Sequence, residues 1–166
     1  MSWFLDLNLV MDYWGDGAKR TYHHTAPVNS LYALHESLLI LQEEGLETAW
    51  QRHDLHHNAL VAGLESLGVE MLVDKDIRLA QLNAVKIPDG VDDAAVRSKL
   101  LQQYDLEIGA GLGKFAGKAW RIGLMGNACS KENVMFCLAS LGAVLNEQGH
   151  QCDTEQALSL AEKIYG

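Results

Sequence analysis

Trp120-Arg121-Ile122-Gly123-Leu124 is the stretch of this chain whose residue types and order best suit an anion. Read as a strand, it puts Trp120, Ile122 and Leu124 on one face and Arg121 with Gly123 on the other, since strand side chains alternate. An arginine beside a residue with no side chain leaves space for a carboxylate. Guanidinium grips that group through two parallel hydrogen bonds, which lysine cannot match. The alternative is an arginine on the wet face of an antiparallel sheet. A second candidate, Tyr22-His23-His24-Thr25, lies just before a helix start. Hydroxyls and open backbone N–H groups at such a place suit a phosphate. Its alternative is ordinary capping by Thr25, with the aromatic rings filling space.

Three other constellations carry less. Gly109, Gly111, Gly113 and Gly117 surround Lys114 and Lys118, but the nucleotide-loop spacing is not met. Ala119 also stands where that loop needs Ser or Thr, so a tightly turning or mobile loop is the stronger reading. His53, His56 and His57 share one side of a helix at a spacing that can hold a metal. The glutamate of the zinc-protease motif is missing, however, and exposed histidines are the reading adopted; no metal site is assigned. Cys129, Cys137 and Cys152 make an odd count without a CxxC pair or a neighbouring base. They read as buried or half-buried thiols of a reducing cytoplasm. No catalytic residue is assigned.

These residues sit in a chain of 166 residues and 18.3 kDa, the size of one domain or at most two. With 48% hydrophobic residues it can bury a core, which excludes a disordered chain. Thirteen Lys and Arg against 22 Asp and Glu give a formal charge of −9. That balance argues against nucleic acid or an anionic membrane as partner. The start, Ser2 to Asp12, carries no Lys or Arg and is interrupted by Asp6 and Asp12. It reads as neither secretion signal nor membrane span, and the expected location is the cytoplasm.

The elements that must position the candidates follow from periodicity. Residues 1–14 read as a short apolar helix ended by Gly15-Asp16-Gly17. Pro27 opens a helix in which Leu31, Leu34, Leu38 and Leu41 recur up to Gly45. A second runs from Leu46 to Leu67, closed by Gly68. Val69 to Val73 and Leu79 to Ile87 read as strands, Asp92 to Gln103 as a helix, and Leu106 to Gly109 and Ala119 to Leu124 as two more strands. Ser130 caps a helix to Glu147, and Asp153 with Gln156 caps a last one to Ile164. The fold class is α+β: a helical hairpin over 1–67, then a small α/β domain over 68–166. In that domain helices cover a small, mainly antiparallel sheet.

Taken together, these segments resemble the C-terminal part of the alanine–glyoxylate and serine–pyruvate aminotransferases, pyridoxal-phosphate enzymes of fold type I, class V. The likeness runs from Ser2-Trp3-Phe4-Leu5-Asp6-Leu7 to about Leu145. It is carried by Tyr22-His23-His24-Thr25 with Pro27, by Leu46-Glu47, and by Glu107-Ile108-Gly109 with Gly111-Leu112-Gly113. Arg121-Ile122-Gly123-Leu124 with Gly126 completes it. The resemblance implies that Tyr22 and Thr25 bind the cofactor phosphate of the neighbouring subunit, and that Arg121 holds the substrate carboxylate.

It also implies a gap. The family's cofactor-bearing lysine, the aspartate at the pyridine nitrogen and the ring-stacking aromatic belong to a region upstream of the one represented here. Without that lysine there is neither a covalent partner for the cofactor nor a base for the proton transfer. The expectation is therefore a portion inactive alone, with pyridoxal phosphate not held covalently. Its expected partners are a second copy, as a dimer through helices 26–67, and a separate large-domain chain. The complete assembly would take an amino acid or keto acid. The alternative is a non-catalytic oligomerisation or binding module derived from the same small domain.

Overall fold

Residues 2–12 and 22–166 are described by the computed structural model. They fall into two units, Met1–Gly45 and Leu46–Gly166, built from six α-helices and one small sheet.

In the first unit the side chain of Asp6 accepts from the N–H of Asn8, and this cap starts α1 (Leu7–Met11). The expected helix over 1–14 is thus shorter at its start, because Asp6 spends its carboxylate on the cap. Its expected end and the Gly15-Asp16-Gly17 turn lie outside the described residues. Helix α2 (Val28–Glu44) begins after Pro27 and ends where Gly45 takes φ 86°, a conformation that side chains with a Cβ resist. No residue of α2 is buried.

The second unit opens with α3 (Leu46–Ser66). Gly68 closes it at φ 77°, which lets the N–H of Val69 reach back to the carbonyl of Leu64 at 2.9 Å. There follow β1 (Leu82–Lys86), α4 (Asp93–Tyr104), β2 (Gly109–Ala110), β3 (Ala119–Gly123), α5 (Lys131–Glu147) and α6 (Thr154–Tyr165). Short polar side chains start the last three helices. Asp92 accepts from Ala95, Ser130 from Asn133, and Asp153 from Gln156, each satisfying an otherwise open N–H.

The sheet order is β1-β3-β2, with both pairs antiparallel. Its inner face presents Asn83, Val85, Trp120 and Ile122, all buried. Leu60 and Leu64 of α3 and Leu138, Leu141 and Leu145 of α5 join them in one core. Each such fully buried aliphatic side chain contributes about 1.5–3 kcal/mol relative to exposure.

Two expected strands are displaced, each for a local reason. The C-terminus of α4 is closed by Asp105 in the left-handed region, with the N–H of Leu106 on the carbonyl of Leu100. That closure consumes Leu106, so strand pairing starts only at Gly109. Residues 69–73 run beside β1 through the Met71–Val85 bridge and the Leu72-to-Ala84 hydrogen bond. No regular strand forms there, because Asp74 caps a 3-10 turn over Lys75–Ile77. The packing units also do not coincide with the expected division near Gly68. The second unit starts at Leu46, since Ala59, Leu60 and Leu64 of α3 belong to the same core as the sheet. Among the described residues no helix is long and apolar enough to cross a membrane.

Candidate functional site

Strand β3 is the central strand, so the position of Arg121 is fixed from both sides. Its Cα pairs with Ala84 on β1 and Gly109 on β2. The alternation expected from the sequence is observed. Trp120 and Ile122 are buried, whereas Arg121 is half-buried on the outer face between its two small neighbours. The Arg121 Nε–H donates to the carbonyl of Ala110 at 2.8 Å. Its two terminal nitrogens meet no hydrogen-bond or ion-pair partner among the described residues. A guanidinium held by one edge and open at the other can accept a bidentate carboxylate.

The inner face is held by polar contacts that the sequence did not announce. The indole N–H of Trp120 donates to Asp93 at 2.9 Å. Arg97 donates to the same carboxylate through Nε at 2.7 Å and Nη2 at 3.3 Å. The Arg97 hydrogen bond is the main reason that Asp93 titrates below the ordinary carboxylate value, and Trp120 adds to it against the opposing effect of burial. Asn83, buried on β1, meets His57 Nδ1 at 2.6 Å and so ties the sheet to α3. The partners Asp93, Asn83 and the Ala110 carbonyl were missed because pairing register and helix placement decide them. The nearest signal in the sequence is Gly109 of Glu107-Ile108-Gly109, although its place opposite Arg121 is tertiary information.

In the first unit the hydroxyls of Tyr22 and Thr25 are hydrogen-bonded to one another. Thr25 does not cap α2: the N-cap is Pro27, with no side-chain hydrogen bond to the helix. The motif is braced by the N-terminal aromatics. The Trp3 and His23 rings stack edge-on at 4.0 Å, and Phe4 lies 4.6 Å from His24. Tyr22 and Thr25 are thus brought together, while Arg121 belongs to the other unit.

The remaining candidates separate. His53 Nδ1 pairs with the carbonyl of Ala49, His56 Nδ1 with the Tyr165 hydroxyl, and His57 with Asn83. Three neighbours in sequence therefore serve three different partners. Burial, and secondarily Arg52, pushes the pKa of His56 down. The glycine loop turns tightly, for a Cβ on Gly111 would stand 2.1 Å from the carbonyl oxygen of Phe115. Cys129 and Cys137 are buried and Cys152 is half-buried. Burial raises the Cys137 thiol to about 12, far from a nucleophile's range.

No family model matches the chain. It is, however, 41% identical over 162 residues to the (S)-ureidoglycine–glyoxylate transaminase of Bacillus subtilis, covering 98% of this chain and 38% of that protein. It is 42% identical over 146 residues to the alanine–glyoxylate aminotransferase of Callithrix jacchus, covering 87% of this chain and 35% of that one. The crystal structure of the ureidoglycine–glyoxylate aminotransferase from Bacillus subtilis superposes with a TM-score of 0.89, over 99% of this chain and 42% of that one. The chain therefore spans well under half the length of the relatives it matches. It belongs to the alanine–glyoxylate and ureidoglycine–glyoxylate aminotransferase family, class V, and corresponds to the C-terminal portion of its members.

Proposed function

We propose that this chain supplies the substrate-carboxylate and cofactor-phosphate contacts of an alanine–glyoxylate type aminotransferase. Arg121 would hold the α-carboxylate of the amino or keto acid. Tyr22 and Thr25 would hold the phosphate of pyridoxal phosphate in a neighbouring subunit. When bound, that cofactor supplies the electron sink for moving an amino group between carbon skeletons. The donor set fits a phosphate: two adjacent hydroxyls precede a helix whose N-cap offers no competing side-chain acceptor. The observation that carries the reading is Arg121, anchored through Nε, with its terminal nitrogens meeting no partner among the described residues. The buried thiols Cys129 and Cys137 support a reducing, cytoplasmic setting.

In the family resembled, the cofactor-bearing lysine belongs to the large domain, so a lysine-bearing large domain is the proposed source of that amine. The test is to incubate the protein with pyridoxal phosphate, reduce with borohydride and map the labelled lysines. Scattered, substoichiometric labelling without alanine–glyoxylate exchange is expected; one stoichiometric lysine with turnover would overturn it. In an assembly restored by a lysine-bearing partner, Arg121→Ala should weaken amino-acid binding by about 1.5–3 kcal/mol.

A second reading, an oligomerisation module, is favoured by α2. It carries Leu31, Leu34 and Leu38 at helical spacing, each more than half exposed, and an exposed apolar face of this kind suits an interaction surface. A two-fold dimer through helices 26–67 is the simplest form. A clean monomer by light scattering at micromolar concentration would remove it.

A further inference from the structure

Gly109 pairs directly with Arg121 across β2 and β3, and the arginine side chain lies over it. A Cβ at Gly109 would stand 3.1 Å from Nη2 and 3.3 Å from both Cζ and Nε of Arg121. Those separations fall inside the usual optimum for non-bonded atoms. A methyl there makes the guanidinium give way a little, and a branched side chain lifts it. The backbone itself does not demand glycine, because Gly109 is not among the glycines with positive φ. What glycine provides at this place is a floor low enough for the guanidinium to lie on.

That posture matters because it coincides with the anchor. The same side chain that rests on Gly109 donates Nε–H to Ala110, the next residue of the edge strand, at 2.8 Å. In a rigid planar fork, fixing Nε fixes the direction of both terminal nitrogens. Gly123 gives the contrast. It lies on the same face of β3, but a Cβ there would meet only the terminal methyl of Met125 at 3.1 Å, which a flexible methionine can swing aside.

We infer that Gly109 is a positioning residue for Arg121: it lets the guanidinium lie against β2, hold the Ala110 carbonyl and aim its open edge at a small planar monocarboxylate. The inference rests on reading Arg121 as the carboxylate ligand. Its test separates the two claims. In the 15N-labelled full chain, the Arg121 Nε–H signal is identified by its loss in Arg121→Lys, and its hydrogen exchange reports the Ala110 bond. Titration with sodium pyruvate against sodium chloride at equal ionic strength reports carboxylate binding.

Gly109→Val should speed Nε–H exchange and weaken pyruvate binding, each by about threefold to tenfold, as for one lost hydrogen bond. Gly109→Ala should shift both in the same direction by a smaller factor. Gly123→Ala should leave the Nε–H exchange at the wild-type value, because a Cβ there does not touch Arg121. If Gly109→Val does not fold, Gly109→Ala decides. Wild-type exchange in Gly109→Ala, or an equal change in Gly123→Ala, overturns the positioning role. Pyruvate binding that is equal in wild type and Arg121→Lys overturns the carboxylate reading instead, while the exchange series still tests how Gly109 seats the side chain.

Discussion

The indole N–H of Trp120 reaches the carboxylate of Asp93 at 2.9 Å, so the strand carrying Arg121 is tied through its buried face to the first turn of α4. Trp120 is fully buried, and its single N–H has to find an acceptor within the fold. Asp93 also accepts both hydrogen bonds from Arg97, which fixes the carboxylate before the indole uses it. The outer face of β3 binds the anion in the proposed reading, and this inner contact holds the strand still.

Replacing Asp93 with Ala should destabilise the fold by about 1–3 kcal/mol, the cost of leaving a buried donor unsatisfied. Asp93→Asn keeps one acceptor and should cost less. The sign of the pH dependence follows from the lowered pKa of Asp93, caused first by Arg97. The contribution is complete above the unfolded carboxylate value of 3.8 and is lost as pH falls through the lower folded value. Urea melts across that acid range should converge for wild type and Asp93→Asn. A gap that stays constant with pH would remove Asp93 from the account.

His56 gives a second, milder window. It is 8% exposed, its Nδ1 is paired with the Tyr165 hydroxyl at 2.9 Å, and burial first and Arg52 second lower its pKa from 6.5. His53 pushes the same way and Glu132 opposes them. The neutral ring is favoured in the fold, so its contribution is complete above 6.5 and declines as pH falls through the folded value. The Tm of the wild type should therefore fall between neutral pH and mildly acid pH more steeply than that of His56→Gln. Equal slopes would show that this ring does not titrate with folding.

The sequence made the helices and the motif faces legible, because caps and periodicity are local. Ser130, Asp153 and Gly68 stand where a short polar or glycine residue has one physical use, and the structure uses them so. The alternation around Arg121 was readable for the same reason. Where β2 begins was not, since the closing turn at Asp105 and Leu106 takes residues that look strand-like. The placement of α3 with the sheet depends on which apolar stripe meets which partner, and no local pattern encodes that. The anchor of Arg121 on Ala110 needs the register of two strands joined by a turning loop, a non-local fact.

Helices α3 and α5 approach closely at Gly63, where a Cβ would stand 2.3 Å from Cδ1 of the fully buried Leu138. Gly63→Ala would gain helix propensity, about 0.5–1 kcal/mol, but overpacking costs about 1–3 kcal/mol. Net destabilisation is expected in chemical melts. Leu138→Ala alone should cost about 2–5 kcal/mol. In that background the added methyl fills vacated space, so Gly63→Ala should turn stabilising. The same sign in both backgrounds would mean that the two side chains do not compete for this space.

The paired hydroxyls of Tyr22 and Thr25 separate phosphate binding from helix capping. As phosphate ligands, Tyr22→Phe and Thr25→Val should each lower pyridoxal-phosphate affinity about tenfold in an assembly completed by a lysine-bearing partner. Because each hydroxyl orients the other, the double variant should lose less than the sum of the two. As a cap, Thr25 would instead act on α2, and Thr25→Val would lower stability by about 1 kcal/mol with cofactor affinity unchanged. Pro27 holds the N-cap position, so the expected pattern is a loss of cofactor affinity at unchanged Tm. A titration of the cofactor absorbance beside thermal melts of the same variants distinguishes the two roles.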